Sequence, residues 1–313
     1  MNKHAKIFVA GHRGLVGSAI VRALEAAGFA SLLTRSRAEL DLTSQAAVNA
    51  FFASERPEIV FLAAAKVGGI LANDSYPADF MRLNLQIQTN VIDAAYRNAA
   101  HKLCFLGSSC IYPQLAAQPL SEDALLTGPL EPTNEAYAVA KIAGIRMCQA
   151  YRKQYGFNAI CVMPTNLYGP GDNFDLQTSH VLPALMRKFD EAVRGGEPVV
   201  SVWGSGRPRR EFLHVDDLAD ALCFLMQHYD APEIINIGVG DDISIADLAA
   251  LVGRIVGFAG DIAFDSSKPD GTPRKLLDVT RLNALGWRAR IDLQQGIRDT
   301  YRWYQDHRDG AGN

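Results

Sequence analysis

The sequence predicts an α/β protein, a doubly wound parallel sheet with helices on both faces and a smaller, interleaved C-terminal α/β unit. Three observations predict it. Short, near-continuous apolar runs alternate with helical patterns through the first half of the chain. Such runs belong to strands buried on both faces, as parallel sheets require. Gly11-His-Arg-Gly14-Leu-Val-Gly17 follows the first run and opens the first helix. Past Pro170 the alternation fades, and proline, glycine and charge become frequent.

The elements follow in order. Lys6-Ile-Phe-Val-Ala10 is the first strand. Val16, Ile20 and Leu24 share one stripe of the next helix, and Gly28 stops it. Leu32-Leu-Thr34 is the second strand. Glu58-Ile-Val-Phe-Leu-Ala63, entered through Pro57, is the third. Asn84 to Ala99 is helical, and Lys102-Leu-Cys-Phe-Leu-Gly107 is the fourth strand. A helix carrying Tyr137 precedes the strand Ala159-Ile-Cys-Val-Met163, and helices are expected near 181–194, 215–228 and 244–257. A glycine-rich turn between the first strand and helix makes the sheet Rossmann-type. Residues 1–170 are expected to form the dinucleotide-binding domain, with a segment near 207–240 returning to it. Residues 171–313 are expected to form the smaller domain.

Composition narrows the function. A chain of 313 residues, 48% hydrophobic and 21% charged, can bury a large core. Its net charge of −3 supplies no field for nucleic acid or anionic membranes, so neither partner is expected. No signal-peptide pattern and no apolar run of about 18 residues is present. Five cysteines, at 104, 110, 148, 161 and 223, form no C-x-x-C pair. That argues against disulfides or a metal site and fits a reducing cytoplasm.

Two features carry chemistry. In the 11–17 turn the first glycine permits a tight turn, the next lets a diphosphate approach the backbone, and the third allows close helix–strand packing. Gly11, His12, Arg13, Gly14, Leu15, Val16 and Gly17 are therefore the cofactor-loop candidates. The end of the second strand reads Thr34-Arg35-Ser36-Arg37, with no carboxylate before Glu39. Arginine pairs with a 2′-phosphate, so NADP is preferred, held by Arg37 with Arg35 or Arg13 beside it. The second feature is Tyr137-x-x-x-Lys141, one helical turn apart. A cation beside the phenol is expected to lower its pKa, and such a tyrosine can protonate a carbonyl oxygen as hydride reaches the carbon. A solvated helix face and an ordinary βα turn are the competing readings of the two motifs taken singly.

Gly-x-x-Gly-x-x-Gly, the strand end Leu62-Ala-Ala-Ala65, Gly107-Ser108-Ser109 and Tyr137-x-x-x-Lys141 occur in that order. Together they resemble the extended short-chain dehydrogenase/reductases that act on nucleotide sugars. Ala65-Lys-Val-Gly-Gly-Ile70, Gly107-Ser-Ser-Cys-Ile-Tyr112, Pro164-Thr-Asn-Leu-Tyr-Gly-Pro170, Trp203-Gly-Ser-Gly206, Arg210-Glu-Phe-Leu-His-Val-Asp216 and Lys268 to Lys275 extend the likeness over residues 6 to 303. They resemble the branch of that family that turns GDP-4-keto-6-deoxy-D-mannose into GDP-L-fucose, by inverting C3 and C5 and then reducing C4.

The resemblance implies roles residue by residue. Ser108 bonds the reacting carbonyl, Tyr137 is the acid/base, and Lys141 also holds the nicotinamide ribose. Cys110 is the epimerising base and His180 the acid, with His180 also beside the cofactor. Pro164, Thr165 and Leu167 line the nicotinamide, and Asn166 either orders it or holds the sugar. Lys188 and Arg210 take the diphosphate, Trp203 the ribose or base, and Asp270 the ribose hydroxyls or guanine edge. A homodimer paired through helices near the Tyr137 helix is implied, with Ile142, Ile145 and Met147 either as contact residues or as plain core. His214 reads as structural. A 4-epimerase or 4,6-dehydratase of the same fold and a non-catalytic NADP-sensing protein are the alternatives. The basic end of strand two opposes the first, the absence of an acidic pair after Ser108 the second, and the intact Tyr/Lys pair the third.

Overall fold

A computed structural model describes residues 1–268 and 270–308. Pro269 and the last five residues of the expected smaller domain lie outside the described residues. The first half contains β1 (Ile7–Ala10), α1 (Leu15–Ala26), β2 (Leu32–Leu33), α2 (Gln45–Glu55), β3 (Ile59–Leu62), α3 (Ile70–Ser75), α4 (Pro77–Arg97), β4 (Lys102–Leu106), α5 (Glu135–Tyr155) and β5 (Ala159–Pro164). Then come β6 (Asn166–Tyr168), α6 (Val181–Gly195), β7 (Val199–Trp203), β8 (Arg209–Arg210), β9 (Phe212–His214), α7 (Val215–His228) and β10 (Ile235–Ile237). The chain ends with β11 (Ile243–Ser244), α8 (Ile245–Val256), β12 (Asp261–Asp265), β13 (Arg274–Lys275), α9 (Thr280–Ala284) and α10 (Leu293–His307).

Six strands make the main sheet, in the order β10-β5-β4-β3-β1-β2. Every pairing in it is parallel. Strands β1, β3 and β5 are buried along their whole length, which explains their uninterrupted apolar sequence. The strand order reverses at β1, between β2 and β3, where open α/β sheets bind ligands beyond their carboxyl ends.

Two apolar clusters cover the faces of this sheet. One joins Phe8, Phe52, Phe105 and Ile145 to α2, α4 and α5. The other joins Ile7, Ile20 and Phe61 to Leu218 and Leu222 of α7. A third cluster, with Leu185, Phe189, Leu248 and Ile297, is formed by α6, α8 and α10 away from the sheet. The segment carrying α7 and β10 thus packs with the sheet, after the chain has passed through α6 and β7.

Some elements differ from expectation. α4 starts at Pro77, seven residues before Asn84, because proline suits the first helical turn, where its missing N–H has no partner to lose. β2 stops at Leu33. α2 and α10, unassigned from the pattern, are each opened by a side-chain cap: Ser44 accepts from Ala47 N, and Asp292 from Gln295 N. Ile142 and Ile145 are core residues of α5 rather than contact residues, and Met147 packs against the same core.

Candidate active site

The 11–17 turn is shaped for a close backbone approach. Gly11 has φ +88°, and a Cβ there would lie 2.8 Å from Ala64 Cα. A Cβ on Gly17 would meet Gly11 O at 2.1 Å. The first glycine therefore lets the turn touch the end of β3, and the third lets α1 touch the turn. Gly14 is different: a Cβ there has ordinary contact, 3.5 Å from Gly11 O. Its lack of a side chain leaves space for a ligand rather than for the fold. Gly14 caps α1 without a side-chain hydrogen bond, and no acidic residue sits in the first turn. The free N–H groups and positive end of α1 suit a diphosphate. His12 Nδ1 is buried there without a partner.

The end of β2 refines the 2′-phosphate reading. Arg35 donates to Glu55 at 2.8 Å and lies 5.5 Å from the Phe51 ring centre. It is therefore held away as a structural cation. Glu39 accepts from Ser36 N at 2.7 Å across the turn 36–39. Arg13 and Arg35 both bias this carboxylate toward its charged form. Glu39 is thus engaged by the backbone, Glu55 by Arg35 and Asp41 by Thr43, which leaves Arg13 and Arg37 as candidate anion partners.

Ser108, two residues past β4, accepts from Cys110 N at 3.2 Å, and Asn134 Nδ2 donates to Cys110 O at 2.9 Å. These bonds fix the turn that carries the thiol. α5 approaches β4 closely because Gly144 faces Phe105 and Gln88, where a Cβ would clash at 2.4 Å. That approach buries both Tyr137 and Lys141.

The electrostatics of this pair differ from expectation. Burial raises the Tyr137 phenol above its ordinary value, and the Cys110 thiol adds to the rise. A hydrogen bond with Ser108 opposes it and is outweighed. Lys141 Nζ donates to Leu106 O at 2.8 Å and lies 4.8 Å from the Phe105 ring centre. Burial lowers its own pKa to about 8. The expected lowering of Tyr137 by Lys141 is therefore corrected: burial dominates, and the phenol stays protonated.

Cys110 has a partner to which the sequence gives no role, although Lys275 closes the Lys268–Lys275 motif. Lys275 Nζ donates to Cys110 Sγ at 3.4 Å. Burial pushes the thiol up. Lys275, hydrogen bonds with Ser108 and Lys275, and the Arg210 guanidinium pull it down further, so it ends below its ordinary value. Arg210 thus faces the thiol as well as Asp270. Lys275 arrives because β13 pairs with β8, placing it opposite Arg210. The 114–130 segment, which carries no motif, clips this strand in place. Gln118 Oε1 accepts from Leu276 N at 2.9 Å, and Leu120 N donates to Leu276 O at 2.7 Å.

His180 caps α6 and stands in the same cleft. Its ring is reachable from the cleft yet surrounded by protein. Burial, helped by the Lys275 charge, lowers its pKa below 6.5. The preceding loop is fixed by Asp175, which accepts from Gln177 N, Thr178 N and Thr178 Oγ1. The Val67-Gly-Gly turn leans on it: a Cβ on Gly69 would lie 3.4 Å from Ser179 O. His214, by contrast, caps α7 through Nδ1.

The remaining candidates divide. Lys188 Nζ donates to Ser201 O and lies 5.6 Å from the exposed Trp203 ring, which Lys268 also approaches at 5.5 Å. Asp270 is held by Ser205 through its N–H and hydroxyl, at 2.6 and 2.7 Å. Asn166 Nδ2 donates to Glu211 O at 2.7 Å, and Thr165 Oγ1 to the same oxygen at 3.5 Å. Pro164 and Thr165 are buried, so from this stretch Leu167 and the main chain are what a cofactor ring would meet. A cavity of about 440 Å³ lined by Glu58, His101, Lys102 and Asn158 lies at the opposite, amino ends of the strands and holds none of these residues.

A dinucleotide loop and a Ser/Tyr/Lys constellation on one parallel sheet define a known group. The family model described as "NAD dependent epimerase/dehydratase family" matches residues 7–238. The chain belongs to this family. It is 61% identical to GDP-L-fucose synthase 1 of Arabidopsis thaliana, over 97% of this chain and 94% of that one. It is 55% identical to GDP-L-fucose synthase of Escherichia coli (strain K12), over 97% of this chain and 98% of that one. The crystal structure of a GDP-L-fucose synthetase from Naegleria fowleri bound to NADP superposes with a TM-score of 0.91. That pair is 28% identical, covering 99% of this chain and 96% of that one.

Membership makes the glycine geometry testable. Gly17→Ala should destabilise the protein by about 1–3 kcal/mol through overpacking against Gly11 O. Gly14→Ala should leave the melting temperature nearly unchanged while weakening NADPH binding at least tenfold. Thermal melts and fluorescence titration separate the two. Equal melting losses would refute the distinction.

Proposed function

We propose that this chain is a bifunctional NADPH-dependent epimerase–reductase that converts GDP-4-keto-6-deoxy-D-mannose to GDP-L-fucose. The observation that carries the reading is the Lys275–Cys110 contact beside Tyr137, Ser108 and Lys141. A reductase alone needs one proton donor to the ketone oxygen. An epimerase also needs a base and an acid at the neighbouring carbons, and Cys110 and His180 supply that second set.

The C4 ketone acidifies the hydrogens on C3 and C5. The Cys110 thiolate, stabilised by Lys275 and Arg210, removes one of these protons. Ser108 and Tyr137 hydrogen-bond the oxygen on which negative charge develops. Protonated His180 returns a proton to the opposite face. After both centres are inverted, Tyr137 donates its proton to the C4 oxygen. Its raised pKa suits this step, since the phenol remains a donor across neutral pH. When bound, NADPH supplies the hydride to C4. Residues 11–17 would hold its diphosphate, Arg13 and Arg37 its 2′-phosphate, and Lys141 its nicotinamide ribose.

The rest of the reading follows the substrate. Residues 1–170 with the returning segment bind the cofactor, and the later part binds the GDP-sugar. Lys188 and Arg210 meet its diphosphate, Trp203 its ribose or base, and Asp270 a hydroxyl or guanine edge. A homodimer would pair through the outward stripe of α5, Val139, Ala143, Arg146 and Ala150, and light scattering at twice the chain mass tests it. A cytoplasmic location fits five free cysteines. Among the described residues no helix is long and apolar enough to cross a membrane.

Incubation with GDP-4-keto-6-deoxy-D-mannose and NADPH should oxidise the cofactor and yield GDP-L-fucose; no NADPH oxidation ends this reading. Cys110→Ser should lower the exchange of C3 and C5 hydrogens by at least about 10²-fold, the usual scale of a lost acid–base group, while NADPH still binds. Tyr137→Phe should stop reduction and leave exchange measurable. Normal exchange in Cys110→Ser would remove the base assignment.

The pH profile follows from the two shifts. The thiolate is present above the Cys110 pKa, which lies below 9.0, and imidazolium below the His180 pKa, which lies below 6.5. Their product gives kcat/KM for exchange an acid limb below pH 6.5, a plateau, and an alkaline limb below pH 9.0. An acid limb above 6.5 contradicts the assignment.

A further inference from the structure

We infer that Glu211 is a positioning residue for the epimerising half of the site, holding Arg210 and Lys275 against the Cys110 thiol. The inference rests on the function proposed above and names a group that touches neither substrate nor thiol.

Glu211 is fully buried. One carboxylate oxygen accepts from Val239 N at 2.6 Å and from Gly240 N at 2.7 Å. The other accepts from Leu277 N at 3.0 Å. Its main-chain N–H donates to Lys275 O at 3.3 Å, and its carbonyl accepts from Asn166 and Thr165. One residue thus fastens three segments distant in sequence: the end of β5, the turn after β10, and the stretch after β13. The fit leaves no slack, because a Cβ on Gly238 would lie 2.3 Å from Glu211 Oε1.

Burying a carboxylate is costly, and it raises this group's pKa even with the four hydrogen bonds that oppose the rise. Three N–H donors converge on it, so the position demands a side chain that only accepts. Glutamine would turn its own donor toward one of them.

The consequence for the thiol is geometric. Arg210 precedes Glu211, and Lys275 lies two residues before Leu277. The β8–β13 register sets Lys275 opposite Arg210. The carboxylate therefore ties both sides of the strand pair that presents the two cations. The groups facing Cys110 are Lys275 from β13, Arg210 from β8, Ser108 from the turn after β4, and Tyr137 from α5. Loosening the strand pair withdraws the first two and leaves the others.

Alkylation of Cys110 by iodoacetamide across pH, read on its peptide by mass spectrometry, tests this with neither substrate nor cofactor present. Its failure is thus distinct from failure of the proposed activity. Cys104, Cys161 and Cys223 are pushed upward by burial or by a neighbouring thiol, so they do not react in the same range. Glu211→Gln should raise the midpoint by about one pH unit, roughly tenfold less thiolate below the midpoint. Glu211→Asp, which keeps the charge but shortens the reach, should raise it less. In a Lys275→Met background, Glu211→Gln should add clearly less than its tenfold effect alone, since only the Arg210 share remains to be lost. A folded Glu211→Gln protein with the wild-type profile overturns the inference, as does full additivity with Lys275→Met. Failure of both Glu211 variants to fold also overturns it, by making Glu211 a residue of stability alone.

Discussion

The contact between Lys275 and Cys110 joins the two halves of this molecule. A thiol surrounded by protein stays protonated unless a cation is brought in beside it. Here the cation comes from 165 residues away in sequence. Its arrival needs the β8–β13 pair, and that pair needs the 114–130 segment, which bonds Leu276 on both sides through Gln118 and Leu120. The cationic surroundings of Cys110 therefore exist only once the later part of the chain has folded back over the carboxyl end of the sheet. The Tyr137–Lys141 pair is more local. Tyr137 and Lys141 are one turn apart on α5, and Gly144 lets that helix reach β4.

Burial dominates at Tyr137, Lys141 and His180 and is outweighed at Cys110. It keeps Tyr137 protonated, lowers Lys141 to about 8 and holds His180 neutral at pH 7. At Cys110 two cations and two hydrogen bonds outweigh it. Environments that push neighbouring groups apart assign them different roles, a base at one position and a donor at another. On the function proposed above, this separation lets one cleft take a proton from carbon and later give one to oxygen.

Much of the fold was legible because its signals are local. A buried parallel strand announces itself as an unbroken apolar run, as in Ile7–Ala10 and Ile59–Leu62, and the glycine turn sits where strand meets helix. The parts that escaped depend on distant partners. Lys275 lies in a polar stretch whose meaning comes from pairing with Arg210. Glu211 reads as one more charge in a charged segment, and only its burial reveals three converging N–H groups. Arg35 looked like a phosphate clamp until Glu55 on α2 engaged it. Helical spacing shows a cation near Tyr137 but not the depth of burial that sets its shift. Between contact and core for Ile142 and Ile145 the sequence does not choose, because both faces of α5 carry apolar residues; packing assigns them to the core.

The central claim is that one cleft performs base chemistry at carbon and reduction at C4. The most direct measurement is the position of carbon-bound deuterium in the sugar formed by the wild-type protein in D2O with unlabelled NADPH. Two deuterons, at C3 and C5, with protium at C4, are predicted: the first two from exchange through Cys110 and His180, the last from the cofactor. Protium at C3 and C5 in a reduced product would contradict the account and leave a reductase alone.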